Sequence, residues 1–212
     1  DSIKMFYDGS GATTLNLTYS GTTPKFYDDG YLSFPQATVS GSALGSASSV
    51  EFTSGTTMFF IFKEAVTAAD FTIYLMCEDA DNYIKLRSTG SSFLIEMNIN
   101  GNEIDLLNTA EGIDFTNKTY LAVSWGTSSD ETGEWEVIDP EDSTYYNKNL
   151  YNSYSETDAG NFKFQYLGAI SALSDADSSL RLYESVIFNK KLTFGGGQYN
   201  RIKDYLLNKH SL

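Results

Sequence analysis

Asn100-Gly101 divides two segments, SFLIEMNI and NEIDLL. A type I′ turn needs positive φ at both central residues, and Asn-Gly supplies it at little steric cost. The pair therefore predicts a tight antiparallel hairpin. The same punctuation continues on either side. MFFIFK (Met58 to Lys63), FTIYLMC (Phe71 to Cys77) and YIKLRS (Tyr83 to Ser88) read as strands, with EDADN as the turn between the last two. YLAVSW (Tyr120 to Trp125) and EWEVID (Glu134 to Asp139) follow, joined by the polar loop GTSSDETG. FKFQYL (Phe162 to Leu167) and LRLYESVIF (Leu180 to Phe188) complete the series. Turn signals recur about every 8 to 12 residues, the spacing of a sandwich or barrel.

The first 55 residues or so are less regular and rich in Gly, Ser and Thr, with short candidate strands at KMFYD and YLSFP. One helix is predicted, from Gln198 to about Lys209, because Tyr199, Ile202 and Leu206 fall on one face with Tyr205 beside them. No internal repeat or linker composition divides the chain. A single domain over residues 1–212 is expected, a length at which all-β folds are commonly one unit.

The formal net charge is −14, from 14 Lys and Arg against 28 Asp and Glu. Nucleic acid is bound through cations that neutralise phosphates, so this balance argues against it, and against an anionic membrane surface. No stretch is apolar for long enough to insert in a membrane as a helix. Cys77 is the one cysteine and His210 the one histidine. An internal disulfide is ruled out by count, as is a zinc site of Cys and His ligands. Cys77 lies in an apolar run and reads as a buried structural thiol, with His210 at the frayed C-terminus. Ser-His-Asp and Cys-His catalysis are accordingly not expected. The chain opens at Asp1 without the segments of a secretion signal, so a mature product or a domain of a longer protein is expected.

The C-terminal third carries a resemblance. LRLYESVIFNKKLT followed by QYNRIKDYLLNKHSL is similar to the end of a laminin G-like domain of the concanavalin A-like superfamily. Glu184, Val186, Phe188, Asn189, Leu192, Tyr205, Leu206 and Lys209 supply its pattern of a late strand before a short helix. EDADNYIKLRS resembles the family's paired central strands, with Asn82 opening the second. The resemblance spans roughly Met58 to the C-terminus and implies an all-β jelly-roll sandwich of two antiparallel sheets with one short C-terminal helix. Phe194-Gly195-Gly196-Gly197 departs from the acidic helix start of relatives. It lacks the spacing of a nucleotide-phosphate loop and reads as a plain turn.

The superfamily includes glucanases whose strand motif is Glu-Ile-Asp-x-x-Glu. EIDLLN matches its first two carboxylates, Glu103 and Asp105, but places Asn108 where the last Glu, the acid/base, would stand. A retaining mechanism needs both carboxyls, and an amide cannot give up and recover a proton near neutral pH. Glu103 and Asp105 also alternate onto one face of any strand leaving a hairpin. No enzyme activity is expected. Hydrolysis would need a further carboxylate, from outside the motif, near Glu103 and Asp105.

Sandwich lectins hold sugars with aromatic faces, Asn and Asp side chains, and calcium. TYYNKNLYNSY (Thr144 to Tyr154) offers Tyr145, Tyr146, Asn147, Asn149, Tyr151 and Tyr154 as candidate ligand contacts. A tyrosine presents a flat apolar ring with a polar tip and loses little side-chain entropy on binding. The alternative is a strand pair whose tyrosines pack at a sheet edge. Asp175 and Asp177 in SDADSS, and Asp79 and Asp81 in EDADN, are candidate Ca2+ ligands, since calcium takes six to eight oxygens and closely spaced carboxylates supply several. Aspartate is equally a common turn residue. The expected function is a non-catalytic, lectin-like module that recognises a cell-surface glycan, extracellular or on a virion surface such as a phage fibre. A homo-oligomer formed through the parent protein is compatible with this. The alternative is a structural or protein-docking jelly roll without a sugar ligand, and the weaker one is a glycoside hydrolase.

Overall fold

A computed structural model of the chain describes residues 4–5, 15–16, 18–21, 25–34, 41–52, 55–64, 70–89, 93–109, 117–126, 133–138, 145–150, 163–170, 173 and 180–212. The strands are β1 (Lys4–Met5), β2 (Leu15–Asn16), β3 (Thr18–Gly21), β4 (Lys25–Tyr27), β5 (Tyr31–Phe34), β6 (Gly41–Glu51), β7 (Thr56–Glu64) and β8 (Asp70–Cys77). They continue as β9 (Tyr83–Thr89), β10 (Phe93–Ile99), β11 (Asn102–Thr109), β12 (Thr119–Trp125), β13 (Gly133–Ile138), β14 (Tyr145–Leu150), β15 (Lys163–Ile170) and β16 (Leu180–Phe188). A helix, α1 (Gly197–His210), ends the chain.

Among the described residues, two antiparallel sheets of seven strands carry the fold, with β1 and β2 paired separately. The first runs β11-β10-β9-β8-β15-β6-β3 and the second β14-β13-β12-β7-β16-β5-β4. Between them lies a core to which Ile73, Ile84, Leu86, Ile95 and Met97 contribute from the first sheet, and Phe60, Phe62, Leu121, Val123 and Leu182 from the second. This is the expected β-sandwich with a short C-terminal helix. Asn100 and Gly101 have φ of 51° and 83°, as the hairpin between β10 and β11 requires.

The helix explains why two strands read as unbroken apolar runs. The inner face of β7 and β12 packs in the sandwich. The outer face, through Phe59, Ile61, Tyr120 and Ala122, packs under α1 with Tyr199, Leu206 and Phe194. A strand covered on both faces has no polar side to alternate with. A polar pin crosses this second core. The Tyr199 hydroxyl donates to Glu136 and lies 2.9 Å from the Tyr120 hydroxyl, while Lys203 pairs with Glu136.

Several expectations change. Tyr205 does not join the buried helix face: it is 53% exposed, with Lys209 over its ring. His210 is not frayed, since its Nε2 lies 2.7 Å from Glu184 and the helix closes on a left-handed Ser211. The Gly- and Ser-rich stretch before Phe52 contains the long strand β6, which pairs with β15 and β3. Glycine is needed there because the ring of Tyr166 lies over Gly45, 2.2 Å from where a Cβ would stand. Cys77 is a buried structural thiol, as expected. Its Sγ donates to the Gly168 carbonyl at 3.4 Å, and burial pushes its pKa up to about 12.

Candidate functional site

At one end of the first sheet two turns meet. In the turn between β8 and β9, Asp79 Oδ1 accepts from the Asp81 N–H at 2.9 Å and from the Asn82 amide at 3.3 Å. The Glu78 N–H donates to the Asn82 carbonyl. The Asn100-Gly101 turn docks onto this one. Gly101 N–H donates to the Asp81 carbonyl at 3.0 Å, and Asn100 N–H to Asn82 Oδ1 at 3.3 Å. The result is an exposed rim of Asp79, Asp81, Asn100 and Glu103.

Below the rim, the outer face of β8, β9 and β10 is polar yet buried. Direct cross-strand pairing aligns Tyr74 with Lys85 and Lys85 with Glu96, and next to them Tyr83 with Asn98 and Asn98 with Glu103. Tyr83 donates to Glu103 at 3.0 Å. The Lys85 ammonium lies 4.9 Å from the centre of the Tyr83 ring and 3.3 Å from Glu96 Oε2, an ion-pair distance without the alignment of a hydrogen bond. Burial raises the Glu96 pKa and the Lys85 charge opposes that rise, while neighbouring Glu103 adds to it. Burial also raises Tyr83, again opposed by Lys85. Asn98 is 7% exposed, and its Oδ1 has no hydrogen-bond partner among the described residues. Leu173, with Tyr74, Cys77 and Tyr83, packs an apolar patch beside this row.

The glucanase-like motif can now be placed. Strand β11 slips against β10 between Ile95 and Glu96. Opposite the slip, Asp105 pairs with Glu96 and Asn108 with Leu94, so Glu103, Asp105 and Asn108 share one face by register. The required further carboxylate is present: Glu96 stands beside Glu103. However, a retaining pair is held about 5 to 5.5 Å apart with substrate between. Here Glu96 lies 3.3 Å from Lys85 in a buried ion pair, and Glu103 accepts from the Tyr83 hydroxyl. Both carboxyls are thus engaged by side chains of the protein itself.

Of the candidate ligands, Asp79 and Asp81 stand on the rim. Asp79 is occupied as the acceptor of its own turn, and among the described residues no three Asp, Glu, His or Cys side chains converge to hold a metal. Asp175 and Asp177 lie outside the described residues. Tyr145, Tyr146, Asn147 and Asn149 lie on β14, the edge strand beside β13, which fits the strand-edge alternative for their backbone. Their side chains, and Tyr151 and Tyr154 altogether, lie outside the described residues. Sequence reasoning missed Glu96, Asn98 and Lys85. Their signal was polar residues alternating within the apolar segments FLIEMNI and YIKLRS, which reads equally as a solvated face.

No known family profile matches the sequence, and no curated protein does. Solved structures do. The carbohydrate recognition domain of Emp47p is similar at a TM-score of 0.52 and 10% identity, over 89% of this chain and 95% of that one. A metal-free form of the Emp46p carbohydrate recognition domain gives 0.51 at 7% identity, over 83% and 89%. A structure of botulinum neurotoxin type C, whose cell entry is described as dependent on interaction with two ganglioside molecules, gives 0.58 at 9% identity. That match covers 98% of this chain and 51% of the toxin chain, so the present chain spans about half its length. At such identities the likeness is one of fold. The chain has the β-sandwich fold of lectin-like carbohydrate-recognition domains.

Proposed function

We propose that the chain is a non-catalytic carbohydrate-binding module, one domain of laminin G-like, concanavalin A-like type. Its site lies where the rim of Asp81, Asn100 and Glu103 overhangs the buried row of Tyr83, Asn98 and Glu96. The observation that carries this reading is the Asn98 Oδ1 acceptor, buried without a partner among the described residues beside a carboxylate and a tyrosine hydroxyl. Leaving a buried acceptor unpaired costs about 1–3 kcal/mol. A sugar hydroxyl donates to an amide oxygen and to a carboxylate, and accepts from a phenol. That matches the groups present, as a polar niche specifies orientation in a binding site. The engagement of Glu96 by Lys85 and of Glu103 by Tyr83 supports binding over hydrolysis. A surface location, extracellular or on a virion, belongs to the same reading, as do Tyr145–Tyr154 as a second contact stretch and Asp175 and Asp177 as calcium ligands.

The test is a broad glycan array probed with the purified protein, with calcium and again with chelator. Binding is expected, with the affinity of the best glycan falling at least tenfold in Asn98→Ala and in Glu103→Gln. Loss with chelator points to Asp175 and Asp177. Binding that survives chelator but falls in Tyr151→Ala brings the tyrosine stretch into the site. No binding under either condition, or binding unchanged in both rim variants, overturns the assignment.

A further inference from the structure

The second sheet carries an unlike surface on its far side. Lys25 on β4 pairs in register with Ser33 on β5, Ser33 with Arg181 on β16, and Arg181 with Lys63 on β7. Thr119 opposes Phe62, so Lys118, one residue earlier, continues the row beyond Lys63. Leu32, Phe62, Leu180 and Leu182 face the sandwich core, which puts these alternating residues on the outer face. Four of the chain's 14 cations thus stand in one cross-strand row, in a protein of net charge −14. At the usual strand spacing the row is roughly 19 Å long. None of the four makes an ion pair with a described carboxylate.

A row of rings runs beside the cations. Tyr27 stacks on Tyr31 with centroids 4.9 Å apart and planes 15° from parallel, and Tyr31 meets Tyr183 at 5.4 Å. The Arg181 guanidinium lies 5.3 Å from the Tyr31 ring centre and Lys118 Nζ 4.7 Å from that of Tyr183. Tyr27 is 41% exposed, one of two large aromatics so exposed among the described residues. Asp28 and Asp29 lie in the adjoining turn, with Asp29 acting on Tyr183, and Glu184 beside Tyr183 is taken up by Lys209 and His210.

We propose that this face binds an acidic oligosaccharide, one whose sugars carry carboxylates, laid across the strands. Like charges aligned on neighbouring strands repel one another, so the row is an arrangement that costs stability unless an anion neutralises it. Spaced carboxylates suit spaced cations. The open face of Tyr27 suits the C–H face of a pyranose ring. A densely charged polyanion such as DNA would need more cations than the row holds, and would meet the repulsion of the rest of the molecule. That the ligand is a carbohydrate rests on the lectin-like reading above. Its charge and its position on the second sheet do not, because no residue is shared with the rim.

The test is titration of the isotope-labelled protein with oligogalacturonate, hyaluronan oligosaccharide and sialylated lactosamine, followed by amide chemical shifts, against neutral oligosaccharides of equal length. At least one acidic probe is expected to shift residues 25–33, 63, 118 and 181–183 while leaving Asn98 and Glu103 in place. Affinity should fall at least tenfold in Arg181→Gln/Lys63→Gln, and also between 50 and 500 mM salt. Should that double variant not fold, the exposed Lys25→Gln is expected to weaken binding by about threefold at unchanged thermal stability. If no acidic probe shifts the row, the proposal fails whatever the array shows at the rim. Binding that is unchanged in the variants also overturns it, as does a preference for duplex DNA or anionic vesicles over every acidic glycan.

Discussion

Glu96 is where chemistry and packing conflict most directly. Its carboxyl is buried and raised in pKa, chiefly by desolvation, with Lys85 opposing. The folded protein therefore holds a proton on Glu96 at pH values where the unfolded chain has released it. Between the unfolded value of 4.5 and the raised folded one, the folded state binds more protons. Stability attributable to this group is thus greatest below that window and declines as pH rises through it. Chemical denaturation from pH 4 upward should show this decline in the wild type and lose it in Glu96→Gln. Cys77 offers a second residue-scale check. With its pKa pushed up to about 12 and no exposed surface, it should resist a thiol reagent at pH 8 in the native protein and react fully once unfolded. Rapid native labelling would show that the strands around it open readily. Its inert character was legible from the sequence, because Cys77 closes the apolar run FTIYLMC. The plight of Glu96 was not. An acidic residue in an alternating strand looks solvated until something is known to cover that face.

At the scale of elements, the joint between β16 and α1 depends on one hydroxyl. Thr57 Oγ1 lies 2.8 Å from Ser124 Oγ, donates to the Lys190 carbonyl at 2.9 Å and accepts from the Leu192 N–H at 2.8 Å. Valine has the same shape without the oxygen, so Thr57→Val should cost about 1–3 kcal/mol in urea denaturation, with the fold retained. Gly55 precedes this strand at φ 79°, with the Trp125 carbonyl 2.7 Å from where a Cβ would stand. Gly55→Ala should cost at least about 1–3 kcal/mol, because strained backbone and collision act together. Helix α1 was legible from the spacing of Tyr199, Ile202 and Leu206. That Tyr205 faces outward was not, since it borders the apolar stripe and only the packing partner decides where the stripe ends.

At the scale of the whole molecule, charge is unevenly placed. The acidic excess leaves the rim with Asp79, Asp81 and Glu103, while Lys25, Lys63, Lys118 and Arg181 gather on the far face of the other sheet. Two ligand surfaces of opposite character are the expected consequence. Binding at the rim should respond weakly to salt and binding at the basic row strongly, and isothermal titration at two ionic strengths separates them. Steering by the row is local, because a net charge of −14 repels anions at long range.

Local signals determined much of this protein from sequence alone. Strand periodicity, the Asn-Gly hairpin and the terminal helix set an all-β sandwich, and a single Cys and a single His argue against thiol and imidazole chemistry. They act between residues close in the chain, where propensity and turn geometry have their effect. The tertiary structure decided what lies far apart in the chain. It set Glu96 against Lys85, left the Asn98 Oδ1 without a described partner, found a strand in a stretch of Gly and Ser, and aligned four cations from four distant segments. Cross-strand register creates those neighbours. Register depends on bulges and sheet order, and no single segment encodes it.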